Sequence, residues 1–153
     1  MKILFQTFLL ALLLAASTFA QDDEKWPSLS YLKSDYRSSY AVAHVKVYEA
    51  EIVNRIPGYE NWKINCEVVE PFKGKFQKGE KVEYFHGAEA GFRKELFLGE
   101  KIVFLLREFD EKEKKRIYVV LENSTLPHTA DRVQKLRTIR RQTVKRGGQR
   151  AKI

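Results

Sequence analysis

The chain has 153 residues, with 28 Lys and Arg against 20 Asp and Glu, a formal net charge of +8 and a single cysteine. One cysteine excludes the disulfide framework on which small exported domains usually lean, and the length fits one domain with a modest core. The charge is segregated. Residues 21–131 hold all twenty acids against eighteen bases, whereas nine bases and no acid follow from Arg132 onward, so the basic character belongs to the C-terminal segment.

Residues 1–20 have the pattern of a cleavable export signal: Lys2, an apolar run from Ile3 to Ala16 broken only by Gln6 and Thr7, then Thr18-Phe19-Ala20 with small residues at the cleavage positions. That run is shorter than the roughly 20 apolar residues of a membrane span. The expectation is a secreted chain, periplasmic or extracellular, cut near Ala20 and left with no integral membrane span. Residues 21–27 are polar and acidic and are expected to form a flexible N-terminus. Ser28 can cap a short helix in which Leu29, Leu32 and Tyr36 share one face.

Tyr40 to Val53 alternates, with Ala41, Ala43, Val45 and Val47 on one side and Val42, His44, Lys46 and Tyr48 on the other, the pattern of a half-buried strand. Pro57-Gly58 supplies a turn. Trp62 to Val69 is a second strand with Ile64, Cys66 and Val68 inward, ended or edged by Pro71, which lacks a backbone donor. Cys66 at that spacing reads as a buried, inert thiol. Lys73-Gly74 and Lys78-Gly79 bracket a loop before a third strand, Lys81 to His86. Gly87 to Phe97 has apolar residues four apart, as in a helical turn, but Gly91 weakens it. Ile102 to Leu106 is continuously apolar and reads as the most buried strand, and Arg116 to Leu121 follows a charged tip at Asp110 to Lys115. Pro127 and Thr129 open a last helix with Asp131 in its first turn, cations towards its end and a narrow stripe of Val133, Leu136 and Ile139. Gly147-Gly148 is expected to stop it.

The expected class is therefore mainly β: a five-stranded, OB-like Greek-key barrel with a short N-terminal helix and a basic C-terminal helix. The expected division is a signal at 1–20, a flexible start at 21–27, the barrel with its first helix at 28–128, the basic helix at 129–146 and a disordered tail at 147–153.

Three segments carry a family likeness: Tyr40-Ala41-Val42-Ala43-His44-Val45, then Val68-Val69-Glu70-Pro71-Phe72-Lys73-Gly74, then Leu98-Gly99-Glu100-Lys101-Ile102-Val103-Phe104-Leu105. Over residues 36–126 the chain resembles the exported domains related to tissue inhibitors of metalloproteinases and the netrin module. The resemblance implies the OB-type fold. It does not imply inhibition, because those inhibitors chelate the protease zinc through an N-terminal Cys-x-Cys, and here the expected start is Gln21-Asp22-Asp23 with no cysteine near it.

No catalytic pattern is present. There is no Gly-x-Ser-x-Gly, Ser38-Ser39 falls in a linker, and Glu111 and Glu113 sit on a solvated tip, so no enzyme and no cofactor are expected. The histidines His44, His86 and His128 lack ligand spacing, and no resident metal is expected. His44 and His86, as strand residues, are the pair that a sheet could bring together, with Glu83 or Glu49. The aromatics Trp62, Phe72, Phe76, Tyr84 and Phe85 lie where barrels of this type stack bases, although a core needs them too. Asn123-Ser124-Thr125 matches a glycosylation acceptor.

The leading expectation is a non-enzymatic exported module that binds a protein or cell-envelope partner through two loops flanking the barrel mouth. Their contact residues are Arg55, Tyr59 and Trp62 on one side and Glu108, Asp110, Lys112 and Lys114 on the other. The alternative is binding of a polyanion (acidic polysaccharide, anionic lipid or nucleic acid) through Arg132, Lys135, Arg137, Arg140, Arg141, Lys145, Arg146 and Arg150.

Overall fold

A computed structural model describes residues 27–150, apart from the side chains of 122, 123 and 146–150. The expected signal at 1–20, most of the polar start, the last three residues and the Asn123 side chain lie outside the described residues. The elements are α1 (Leu29–Ser38), β1 (Ala41–Ile56), β2 (Tyr59–Lys73), β3 (Lys81–Glu89), a 3-10 turn (Lys94–Leu96), β4 (Gly99–Asp110), β5 (Lys115–Pro127) and α2 (Ala130–Arg150). The chain divides into two units, Met1–Tyr31 and Leu32–Ile153. In the described part of the first, Ser28 Oγ accepts the Tyr31 N–H at 3.2 Å, the cap expected from sequence.

The strands of the second unit form a closed ring in the order β1-β2-β3-β5-β4, with β4 returning to β1. All pairings are antiparallel except β3 with β5, which are parallel and meet in one residue pair, Phe85 with Val119. β1 is the spine. It pairs with β2 from Val42 to Ile56, with bulges, and with β4 from Ala41 to Val47.

The expected alternation holds through Val47 and then changes phase. Val47 faces Cys66 and Glu49 faces Asn65, so Tyr48 is an extra residue, a β-bulge that bends the strand. Ala50 and Ile52 consequently join the inward set, while Val53 is 48% exposed. Inside the ring, Ala41, Ala43, Val45 and Val47 meet Trp62, Ile64, Cys66 and Val68 of β2, Tyr84 of β3, and Val103 and Leu105 of β4. Burial pushes the Cys66 thiol up to about 12, so it stays protonated and inert at neutral pH.

A second core lies on the outer face of the same strands. Val42, Phe72, Ile102, Phe104 and Leu126 are covered by Leu32 and Tyr36 of α1 and by Val133, Leu136 and Ile139 of α2. The continuous apolar run of β4 thus has two destinations, alternate residues serving alternate cores. Leu29, assigned by sequence to the buried face of α1, is 40% exposed. The Tyr36 hydroxyl donates to the Phe72 carbonyl at 2.7 Å. Lys73 Nζ donates to the carbonyls of Tyr36, Arg37 and Ser39, closing the C-terminal end of α1. Gly74 follows with φ +94, and a Cβ there would lie 2.9 Å from that of Ala41, so the turn leaving β2 needs glycine.

Every strand runs longer than expected, and three differences have a clear physical reason. β2 runs through Pro71 to Lys73; Pro71 pairs with Ala43 on one side, and the β3 ladder has already ended at Glu67, so the missing donor falls on an open edge. The segment after β3 forms only the short 3-10 turn. α2 extends to Arg150, past the expected stop at Gly147-Gly148, because glycine lowers helix propensity by only about 1 kcal/mol and removes no hydrogen bond.

Candidate functional site

Strand register brings together a cluster that spacing along the chain conceals. His44 has the outward parity of Val42 on β1, opposite Ile102 of β4 and Glu70 of β2. Glu100, two residues before Ile102, falls on the same face of β4. Lys101 pairs with Pro127, which sets His128 beside Glu100, and the His128 N–H points to the Glu100 carbonyl at 3.4 Å.

The result is a compact arrangement. His44 Nε2 is 3.4 Å and His128 Nδ1 is 3.3 Å from the same Glu100 Oε2, and the two rings stack with centroids 4.2 Å apart. One ligand atom from each of the three residues lies within 4.8 Å of the others. His44 is 5% exposed, and its Nε2 makes no hydrogen bond among the described residues. Burial depresses the His44 imidazole below its ordinary value near 6.5, His128 adds to that, and Glu100 and Glu70 oppose it. Glu70 itself is held by Arg137 of α2 through two bonds, at 2.9 and 2.7 Å, which keep its carboxyl below the usual range.

The pairing of His44 with His86 does not form. His86 lies opposite Trp62 on β3, edge-on to Phe97 at 5.0 Å and 3.4 Å from Thr125 Oγ1. Glu83 and Glu49 both sit across from Asn65, and Asn65 Nδ2 donates to Glu49 at 2.9 Å. The missed partners, Glu100 and His128, were recoverable only by solving two registers, β1 with β4 and β4 with β5.

His86 gives a direct pH prediction. Burial lowers its imidazole below the ordinary value near 6.5, so below that pH the unfolded chain takes up a proton that the folded chain refuses. Stability is then lost as pH falls below about 6.5, with a limiting slope for this one group of about 1.4 kcal/mol per pH unit. Urea unfolding across that range should show a smaller pH dependence in His86→Phe than in the parent. Equal dependence in both would contradict a neutral His86.

The expected contact loops fare unevenly. Trp62 is 4% exposed and packs on Phe97 at 5.1 Å. It belongs to the inward series 62, 64, 66, 68 and offers nothing to a partner. Phe72, Phe76 and Tyr84 are likewise core residues, so with Trp62 they make no base-stacking platform. Arg55 Nε donates to Glu60 at 3.0 Å across the hairpin. Tyr59 is 41% exposed, and its ring lies over Gly87, where a Cβ would meet the tyrosine hydroxyl at 1.6 Å.

On the other loop, Asp110 Oδ1 accepts the N–H groups of Lys112 and Glu113, and Lys114 pairs with Glu111 at 3.1 Å. That tip is largely satisfied internally, although Glu108 and Lys112 are exposed. Register also separates the loops. β4 continues past Ala41 towards Asp110, whereas the β1–β2 turn follows Ile56 at the far end of β1. The two hairpin tips leave opposite ends of β1 and do not frame one mouth.

Of the expected polyanion contacts, several are engaged within the chain. Arg137 holds Glu70, Lys135 holds Asp131 at 2.6 Å, Arg140 donates to the Pro71 carbonyl at 3.0 Å, and Arg132 to the Pro127 carbonyl at 2.8 Å. Arg141 and Lys145 are exposed, and the side chains of Arg146 and Arg150 lie outside the described residues. Comparison of the sequence with protein-family models and with curated proteins returned no match.

Proposed function

We propose that this chain is an exported, non-enzymatic interaction module of the OB type, related to the inhibitor and netrin-module domains it resembles and lacking their zinc-chelating start. The strand order supports the fold reading: β1, β2 and β3 form a meander, β4 returns beside β1, and β5 closes the ring between β3 and β4, a Greek-key closure. Export rests on the pattern of residues 1–20.

The observation that carries the binding reading is the β1–β2 hairpin end. Val53, Ile56 and Tyr59 are each more than two-fifths exposed there, and Phe92 follows Ala90, whose N–H donates to Gly58 at 3.1 Å. Exposed apolar and aromatic side chains grouped at a strand end are the composition of an interface core. The partner is a protein or envelope polymer with an apolar contact face.

The test is affinity capture from the extracytoplasmic fraction with the chain and with an Ile56→Lys/Tyr59→Ser variant. A saturable partner retained by the parent and lost by the variant is expected. Equal capture by both would reject the hairpin end. Retention on heparin that disappears in Arg141→Glu/Lys145→Glu, with nothing captured through the hairpin, would favour polyanion binding instead.

A further inference from the structure

We propose that His44, Glu100 and His128 form a binding site for a divalent transition-metal ion, zinc by its ligand chemistry. The inference is independent of the hairpin end. Two imidazole nitrogens and one carboxylate oxygen form a zinc-type donor set, whereas calcium and magnesium favour oxygen alone.

The spacing fits. Metal bonds of about 2.0–2.1 Å in a tetrahedron place neighbouring donors about 3.3–3.4 Å apart, and the two nitrogens lie 3.4 and 3.3 Å from Glu100 Oε2. Those separations are long for charge-assisted hydrogen bonds, which draw in to about 2.7–2.9 Å. The contact that buried His44 Nε2 makes with Glu100 is long, at 3.4 Å, and repays little of the desolvation of that atom, a cost that a metal bond would offset.

Two donors stand on paired strands, β1 and β4, and the third follows β5, with its N–H directed to the Glu100 carbonyl. The stacked rings must fan apart for their lone pairs to converge. His44 is fixed in its strand, and the partly exposed His128, on the connection to α2, is the ring that turns. Glu70 lies across from His44, but Arg137 occupies both of its oxygens. It contributes negative potential and no bond. The fourth position is left to water or to a donor from outside the chain.

The test uses the tag-free chain stripped with a chelator and titrated with zinc by calorimetry, with magnesium as control. Saturation at one equivalent of zinc is expected, with no magnesium response. His128→Ala and Glu100→Gln, both at positions outside the buried cores, should each weaken zinc binding at least about tenfold, because even residues that merely support a ligand cost 10–100-fold. Independently of the variants, zinc should shift the imidazole proton resonances of His44 and His128 and leave those of His86 in place. No saturable zinc binding, affinity unchanged by either substitution, or a zinc-induced shift at His86 instead would overturn the site.

Discussion

Phe104→Ala is expected to lower the unfolding free energy by about 3–5 kcal/mol. Phe104 is fully buried in the outer core, opposite Val42 across the β1–β4 ladder and beneath both helices. Truncation leaves a void between a sheet and two helices, and those elements cannot close on it without disturbing the ring beneath. Phe109, five residues along the same strand, is 53% exposed, and its replacement by Ala should change stability by less than about 0.5 kcal/mol. Urea unfolding of both variants, followed by tryptophan fluorescence, makes the comparison. Similar losses at the two positions would mean that the outer core does not exist as described.

A second large effect is expected from α2. Ending the chain after Thr129 removes Val133, Leu136 and Ile139, all buried on the sheet. At about 1.5–3 kcal/mol for each such side chain, the loss approaches the whole stability of a small domain, about 5–15 kcal/mol. The shortened chain should lose its dispersed amide spectrum and its cooperative melt. Should it remain folded with an unchanged melting temperature, α2 would be an appendage. The consequence for function is practical: the role of the basic helix has to be probed by changing charges at Arg141 and Lys145, not by cutting the helix away.

Much of the fold is legible in the chain because period-2 alternation and burial are the same signal seen twice. The inward set Ala41, Ala43, Val45 and Val47, the run Ile64 to Val68 and the stripe Val133, Leu136 and Ile139 read correctly, whereas Val42 and His44, expected on the open side of a half-buried strand, are buried as well. Alternation is silent about phase breaks, so the bulge at Tyr48 and the inward turn of Ala50 were hidden. The same parity that puts Ile64 and Cys66 inside puts Trp62 there as well, so its place among the expected contact residues runs against the alternation of its own strand. The histidine cluster was illegible for a different reason. His44, Glu100 and His128 are far apart in sequence and meet only through two ladders, and register depends on turn geometry as much as on residue type.

The ring is sewn unevenly. β1 and β4 are joined from Ala41 to Val47 and β2 and β3 from Tyr59 to Glu67, but β3 and β5 touch in register only where Phe85 meets Val119. Local opening follows the path with the fewest bonds to break. The expected consequence is that opening starts at that single stitch, so amide exchange should reach β3 and β5 along this seam before it reaches the spine of β1.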